Sequence, residues 1–513
     1  MKKRKIIAIT LMLAMLVTSF AGCKKDNNEA ASNDGENTTT NDITGEATPA
    51  VKEEPYTVRV MMFDDASEDA MKEVSEAVSK ITLEKINCKV EIVRVGFASY
   101  SDQLNLALSS NEKLDVFCTL GQNTTTLSSN GQIVAMNPYL DKEGKDIKAG
   151  ISAENFKCLS VGDQIYGFPT SKETATSYGF IMRQDIVDEL GITVDPNKIY
   201  TLDEIYKICS DAKKLHPDMY PIAPDFTNMY MPNMMDNLDN GIAVLESALA
   251  NDPTVVDWYT TDTYKNFVTD MYNWSKEGLV LPDAGNNSES RDSLLTSGRV
   301  MGGFNGMNPG NVDQTEARIN MKLARFPMTS VFSITGHVAG VSWCIASNSE
   351  KPNKAMEFLN LAYTDKDVTN LLVNGIEGEH YVVVDDAKGL IDYPAGVDGS
   401  TTTWKRDTWG WINATIGYTW KGVESETFWS DLNTYNMNAK NSIAKGFKFD
   451  PTNVLDAITA INNVTAQYDT ALQTGSLDPA ETLPKFEADL KSAGVDKVIK
   501  EKQTQLDAWL AQQ

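Results

Sequence analysis

The chain has 513 residues, of which 42% are hydrophobic and 23% charged, and a formal net charge of −25. That length supports two or three domains with sizeable cores. The acidic balance disfavours nucleic acid and anionic membrane surfaces as partners, because basic patches hold both.

In chain order, the first segment reads as an export signal. Lys2, Lys3, Arg4 and Lys5 form a basic start, and residues 6–20 are almost wholly apolar but too short to span a bilayer comfortably. The ending Phe20, Ala21, Gly22, Cys23 resembles a bacterial lipobox, so cleavage is expected to remove residues 1–22 and leave a lipidated Cys23. Loss of the four basic residues takes the formal charge from −25 to −29. Residues 23–55 then carry no aromatic side chain and only two large aliphatic ones, Ile43 and Val51. Such a stretch buries too little apolar surface to offset its ordering entropy and reads as a disordered tether.

From residue 56 the pattern alternates. "YTVRVMMF" (56–63) reads as a strand; Met71, Val74, Val78 and Ile81 mark an amphipathic helix over 67–86. "KVEIVRVGF" (89–97) is the next strand, "SDQLNLALSS" (101–110) a short helix, and "LDVFCTL" (114–120) a third strand. Strand, helix, strand, helix, strand implies parallel pairing in an α/β sheet, with ligands gathering beyond the carboxyl ends of the strands. Thr201 with Glu204 predicts a capping box opening a helix at about 200. Residues 253–300 read as mainly helical, ending in "SGRVMGGFNG", a turn and a short strand. "GVSWCIAS" (340–347) is a strand, Pro352 opens a helix, Thr364 and Asp367 restart it, and Asn374-Gly375 close it. Residues 451–475 and 481–511 are helical again. Cys88, Cys118, Cys158, Cys209 and Cys344 are widely spaced, several in apolar contexts, and read as buried free thiols, with one disulfide open to an exported protein.

Four stretches carry a family resemblance: "SDQLNLALSSNEKLDVFCT" (101–119), "GDQIYGFPTSKE" (162–173), "KPNKAMEFLNLAYTDKDVTNLLVNGIEGEHY" (351–381) and "KSAGVDKVIKEKQTQLDAWL" (491–510). Together they resemble the lipid-anchored solute-binding proteins of carbohydrate ABC importers, particularly the long-chain lipoproteins associated with complex-glycan uptake. The resemblance implies a two-lobed α/β fold of the periplasmic-binding-protein-like type II, closing on a sugar and delivering it to a permease. It implies lobe 1 from 56–168 with 336–385, and lobe 2 from 169–335 with 386–513. The partners implied are an oligosaccharide and permease subunits, with the membrane reached through the lipid anchor only and the protein a monomer. A lipid tether fits that task by raising the receptor's effective concentration near its transporter.

The candidate ligand residues follow from position and chemistry. Phe63, Asp64 and Tyr100 sit at predicted strand ends, and Gln122 and Asn123 in the loop after the third strand. Five of nine Trp fall within 404–429, and flat rings pack against the C–H faces of sugars. Trp404, Arg406, Trp409 and Trp411 are therefore candidates, although each Trp could equally fill the second lobe's core; 409 and 411 alternate, so one of the two faces the ligand. By analogy with the architecture, Lys172 and Glu173 at the first crossing, Phe304 and Asn305 in "GGFNG", and Trp343 at the return crossing complete the set.

His216, His337 and His380 lack metal-ligand spacing, and no phosphate loop, nucleophile elbow or HExxH occurs. No catalytic residue, metal or cofactor is expected. Two other readings stay open: a surface glycoside hydrolase using two of the many carboxylates, and an importer receptor for peptides or another small solute.

Overall fold

The computed structural model describes residues 53–110, 112–224, 234–282, 284–287, 289–406 and 408–513. The expected signal, Cys23 and nearly all of the tether lie outside them. The compact unit Glu54–Gln513 is described below.

Its N-terminal third follows the expected alternation. Strand β1 (Tyr56–Phe63) leads into helix α1 (Glu68–Ile86), then β2 (Cys88–Val95), α2 (Phe97–Ser109) and β3 (Val116–Cys118). Ser67 caps α1, its hydroxyl accepting from Ala70 N at 3.2 Å, and Asn87 ends it in a left-handed conformation. The helix buries Ala70, Val74, Val78 and Thr82 against the sheet. Two serines one turn apart then serve the edge strand: Ser79 Oγ accepts from Val90 N (2.8 Å) and Ser75 Oγ from Ile92 N (3.0 Å). An edge whose donors are occupied is a poor template for another strand.

The first sheet is completed by β4 (Phe168–Pro169), and the chain then crosses to a second sheet. That sheet uses β5 (Tyr178–Arg183), β6 (Tyr220–Ile222), β7 (Val300–Gly306) and β8 (Leu323–Pro327), before β9 (Ser342–Ile345) returns to the first. The strand orders are β2-β1-β3-β9-β4 and β8-β5-β7-β6. β1 pairs in parallel with β2 and β3, whereas β9 runs antiparallel to β3 and β4. Between β6 and β7 the expected helical stretch is broader than the real one. Asp262–Lys276 is a helix, but Val255–Val256 is a strand and only Arg291–Thr296 returns to helix before β7. The capping box at Thr201 and Glu204 is present on the helix Leu202–Leu215.

Two large cores result. One gathers residues from Tyr56 to Phe168 and from Val341 to Val373; the other gathers Phe180 to Phe326 and Ala444 to Leu506. Within 386–427, expected in lobe 2, Trp404, Trp411, Ile412 and Ala414 belong to the first core, while Ile391 and Trp420 form a small cluster with Tyr381. The physical reason is local. Ala66 bridges Trp404, and Lys405 N donates to Asp65 O, so the segment is stitched to the loop after β1. The helix Phe428–Met437 carries the chain back to the second core, which the helices Leu455–Gln473, Pro479–Ala493 and Val495–Leu510 finish. Among the described residues, the five cysteines are buried and none is in a disulfide. No described helix is long and apolar enough to cross a membrane.

Candidate functional site: an aromatic crevice at the strand ends

The carboxyl ends of β1, β2 and β3 lie side by side, and the chain leaves the first sheet after β4 and returns to it at β9. In such sheets the crevice beyond the strand ends is where ligands bind. The loop 404–411 shapes it here. Arg94 on β2, its side chain fully buried, donates from Nη1 to Lys405 O (2.8 Å), pairs with Asp64 at 3.3 Å and stacks 4.5 Å over the Trp404 ring. Asp64 itself adopts φ 88, a left-handed turn that ends β1.

Gly410 comes next, where a larger residue would have to push the core aside. A Cβ there would lie 2.2 Å from Met62 Cε and 2.5 Å from the Phe63 ring. Its carbonyl accepts from Trp343 Nε1 at 3.0 Å and from Cys118 Sγ at 3.3 Å. With the backbone pressed flat on the core, the residues on either side point opposite ways. Trp411 turns in, 1% exposed, and stacks on Trp343 at 5.8 Å. Trp409 turns out, 37% exposed, its ring 4.7 Å from Phe63. Phe97, the first residue of α2, is 59% exposed and 6.4 Å from Trp409. These two are the aromatic members among the large apolar side chains that the described residues leave exposed. An exposed aromatic face beside polar groups is what a sugar's C–H surface packs against.

The structure sorts the other candidates. Phe63 and Tyr100 are fully buried and support the pair from below; Tyr100 Oη donates to Cys118 O. Gln122 stays half-exposed, its Nε2 donating to Ser101 Oγ at 3.0 Å, while Asn123 caps the short helix Thr124–Ser129. Trp343 is a core residue, 0% exposed, and Trp404 is 2% exposed with Nε1 donating to Leu372 O. Arg406 is committed to the buried Glu424 and lies 5.5 Å from the Trp420 ring. Phe304 and Asn305 belong to β7 itself and are buried. Asn305 is used up: Arg291 Nη2 donates to its Oδ1 (2.6 Å), and its Nδ2 donates to Gly306 O and Asn311 Oδ1 (2.8 Å each). The glycines before Phe304 serve strand packing, since a Cβ on Gly302 would lie 2.0 Å from Ile181 O. Trp343, Trp404, Trp411, Phe304 and Asn305 are therefore corrected from crevice wall to core.

Lys172 and Glu173 sit at the first crossing, both half-buried. Lys172 Nζ donates to Glu173 O (2.8 Å) and His337 O (3.0 Å), tying the outgoing crossing to the returning one. Burial and the Lys172 charge push the His337 imidazole down to about 3. His380 has a structural place: Ile376 N donates to its Nδ1 at 2.9 Å, and Gly375, φ 79, leaves room for the ring. Phe97 was missed by reading 89–97 as one strand. Gly96 marks the break, because a Cβ there would lie 2.7 Å from Asp65 Oδ1. Among the described residues no group of three His, Cys, Asp or Glu side chains is placed to hold a metal.

Two lobes of mixed α/β sheet, joined by three crossings with a crevice at the strand ends, define the solute-binding class of fold. The chain belongs to the bacterial extracellular solute-binding protein family, whose model matches residues 65–369. A domain of unknown function (DUF3502) matches residues 443–511, the C-terminal part of the second core. A carbohydrate ABC transporter substrate-binding protein of Streptococcus pneumoniae serotype 4 is 26% identical over 448 residues, covering 86% of this chain and 89% of the relative. The crystal structure of the N-glycan transport solute binding protein (NgtS) from Streptococcus pneumoniae aligns with a TM-score of 0.77 at 24% identity, over 89% of this chain and 99% of that one. The same protein in complex with Man5GlcNAc aligns at 0.67 over the same shares. An HMO binding ABC-transporter associated solute binding protein from Bifidobacterium longum infantis aligns at 0.63 with 17% identity, over 89% of this chain and 100% of that one.

Proposed function

We propose that this chain is the receptor lipoprotein of an ABC importer, capturing an oligosaccharide between its lobes and delivering it to the permease. The single observation that carries the reading is the exposed Trp409–Phe97 pair seated on Phe63 at the strand ends. Aromatic rings left in water at a crevice cost hydrophobic free energy that only an occupant with apolar faces recovers. Asp64 at the end of β1 and Gln122 after β3 offer polar atoms at the same strand ends, and Glu173 offers another at the first crossing. The complex of a similar solute-binding protein with Man5GlcNAc supports a complex glycan as the ligand of this chain. Capture requires no bond to break, so the glycan leaves unchanged and the protein acts as a monomer without catalysis. The start of the sequence supports anchorage on the extracytoplasmic face through Cys23.

Calorimetric titration with a panel of mannose-containing, neutral and acidic oligosaccharides tests the reading. Saturable binding of an intact glycan, weakened in Trp409→Ala, supports it. Shortened glycan after incubation overturns it in favour of a hydrolase, and binding of peptides but no glycan moves the receptor to another solute. The anchor is tested separately: Cys23→Ala should shift the protein from the membrane fraction to the medium.

A further inference from the structure

The turn 375–381, "GIEGEHY", follows the helix Lys366–Asn374 and folds around one side chain, His380. His380 N donates to Ile376 O at 2.9 Å, and Gly378 N donates to Tyr381 O at 2.7 Å. A Cβ on Gly375 would lie 2.6 Å from His380 Nδ1, so the turn makes room for the ring by omitting a side chain there. The result is an imidazole only 2% exposed that faces the segment entering the loop 404–411.

The hydrogen bonds fix its tautomer. Because Ile376 N donates to Nδ1, the ring proton sits on Nε2, which donates to Thr403 Oγ1 at 3.1 Å. The exposed Glu379 carboxylate stands 3.8 Å from Nε2, beyond hydrogen-bond range. Burial lowers the imidazole pKa, Glu73 opposing the effect and Arg94 adding to it, so the ring stays neutral with one acceptor and one donor.

Thr403 is thereby held from two sides. Its hydroxyl takes the bond from His380, and its carbonyl accepts from Ser67 N at 3.0 Å. The next residue, Trp404, has its ring 6.3 Å from the imidazole. Farther along the same loop Arg94 holds Lys405 O and Gly410 presses on Phe63, so Trp409 stands between fixed points. We infer that His380 is a positioning residue for glycan capture: through Thr403 it sets the seat of the loop 404–411, and so the place of Trp409, without touching the ligand. The inference rests on the reading of Trp409 as a sugar platform. A platform fixed before the ligand arrives loses less freedom on binding, which is how a bond behind the loop acts on affinity.

The test separates the two bonds of one ring. His380→Asn keeps an acceptor for Ile376 N but is too short to reach Thr403, whereas His380→Gln keeps the reach. Thr403→Val removes the hydroxyl at an exposed position with little change of shape. In calorimetric titration with Man5GlcNAc, His380→Asn and Thr403→Val are expected to raise Kd about fivefold, and His380→Gln to stay within about twofold. In a Trp409→Ala background Thr403→Val should add less than about twofold, because the platform it places is gone. Trypsin gives a readout that needs no glycan: cleavage after Lys405 should quicken in His380→Asn and Thr403→Val but not in His380→Gln, with the thermal unfolding of Thr403→Val unchanged. Absence of Man5GlcNAc binding by the unaltered chain counts against the glycan reading alone and leaves cleavage to decide the seat. An unchanged cleavage rate in Thr403→Val overturns the seat. An unchanged Kd, or a loss that persists in the Trp409→Ala background, overturns the route to Trp409.

Discussion

The loop 404–411 and the strand β7 present the same kind of sequence and opposite outcomes. Both place aromatic and polar residues around glycines, "WGW" in one and "GGFNG" in the other. In the loop, one glycine presses the backbone against Phe63, and its neighbours are thrown to opposite sides, so Trp409 reaches solvent. In β7, neighbouring strands lie on both edges and helices on both faces, so each side chain from Val300 to Asn305 is buried whichever way it points. The lesson is that a glycine marks close approach, and what the approach does to its neighbours depends on how many sides are already covered.

That comparison can be broken in several places. Trp343→Ala removes the ring on which Trp411 stacks and the donor to Gly410 O, so it should cost about 3–5 kcal/mol in urea unfolding. A cost below about 1 kcal/mol would mean the loop is not seated on the first core. Gly410→Ala and Gly302→Ala should each cost about 1–3 kcal/mol, Gly302→Ala the more because the clash is with a backbone carbonyl. Only Gly410→Ala should also weaken glycan binding, since it alone displaces Trp409.

Trp409→Ala reverses the pattern. Binding should fall by about 1–3 kcal/mol, roughly a five- to 150-fold rise in Kd, while the unfolding free energy changes by less than about 1 kcal/mol. If Phe304→Ala weakened binding as much without unfolding the chain, the contrast between loop and strand would be lost. The smallest effect tests the frame rather than the site. Ser67→Ala removes the cap of α1 and should cost about 1 kcal/mol with no change in binding.

Much of the architecture was legible in local pattern. Helix α1 was visible in the spacing of Val74 and Val78, the box at Thr201 and Glu204 in two residue types, and the helix pair at Pro352–Thr364 and Lys366–Asn374 in its start and stop residues. The opposite facing of 409 and 411 was not legible locally, because residues two apart share a face in an extended strand and only the turn at Gly410 separates them. Phe97 was hidden by a boundary error of two residues at the end of β2, where strand and helix propensities overlap.

What the sequence by itself determined is therefore the set of elements, their order and the parallel pairing that aligns three strand ends. Those follow from periodicity, caps and chain connectivity, all of which act over a few residues. Only the tertiary structure decided which side of each residue was left open. It seated Trp404, Trp411, Ile412 and Ala414 in the first core, with Ala66 bridged to Trp404, buried Trp343 as well, and left Trp409 in water. Burial is a property of packing between segments hundreds of residues apart, such as Gly410 on Phe63, and no local pattern encodes it.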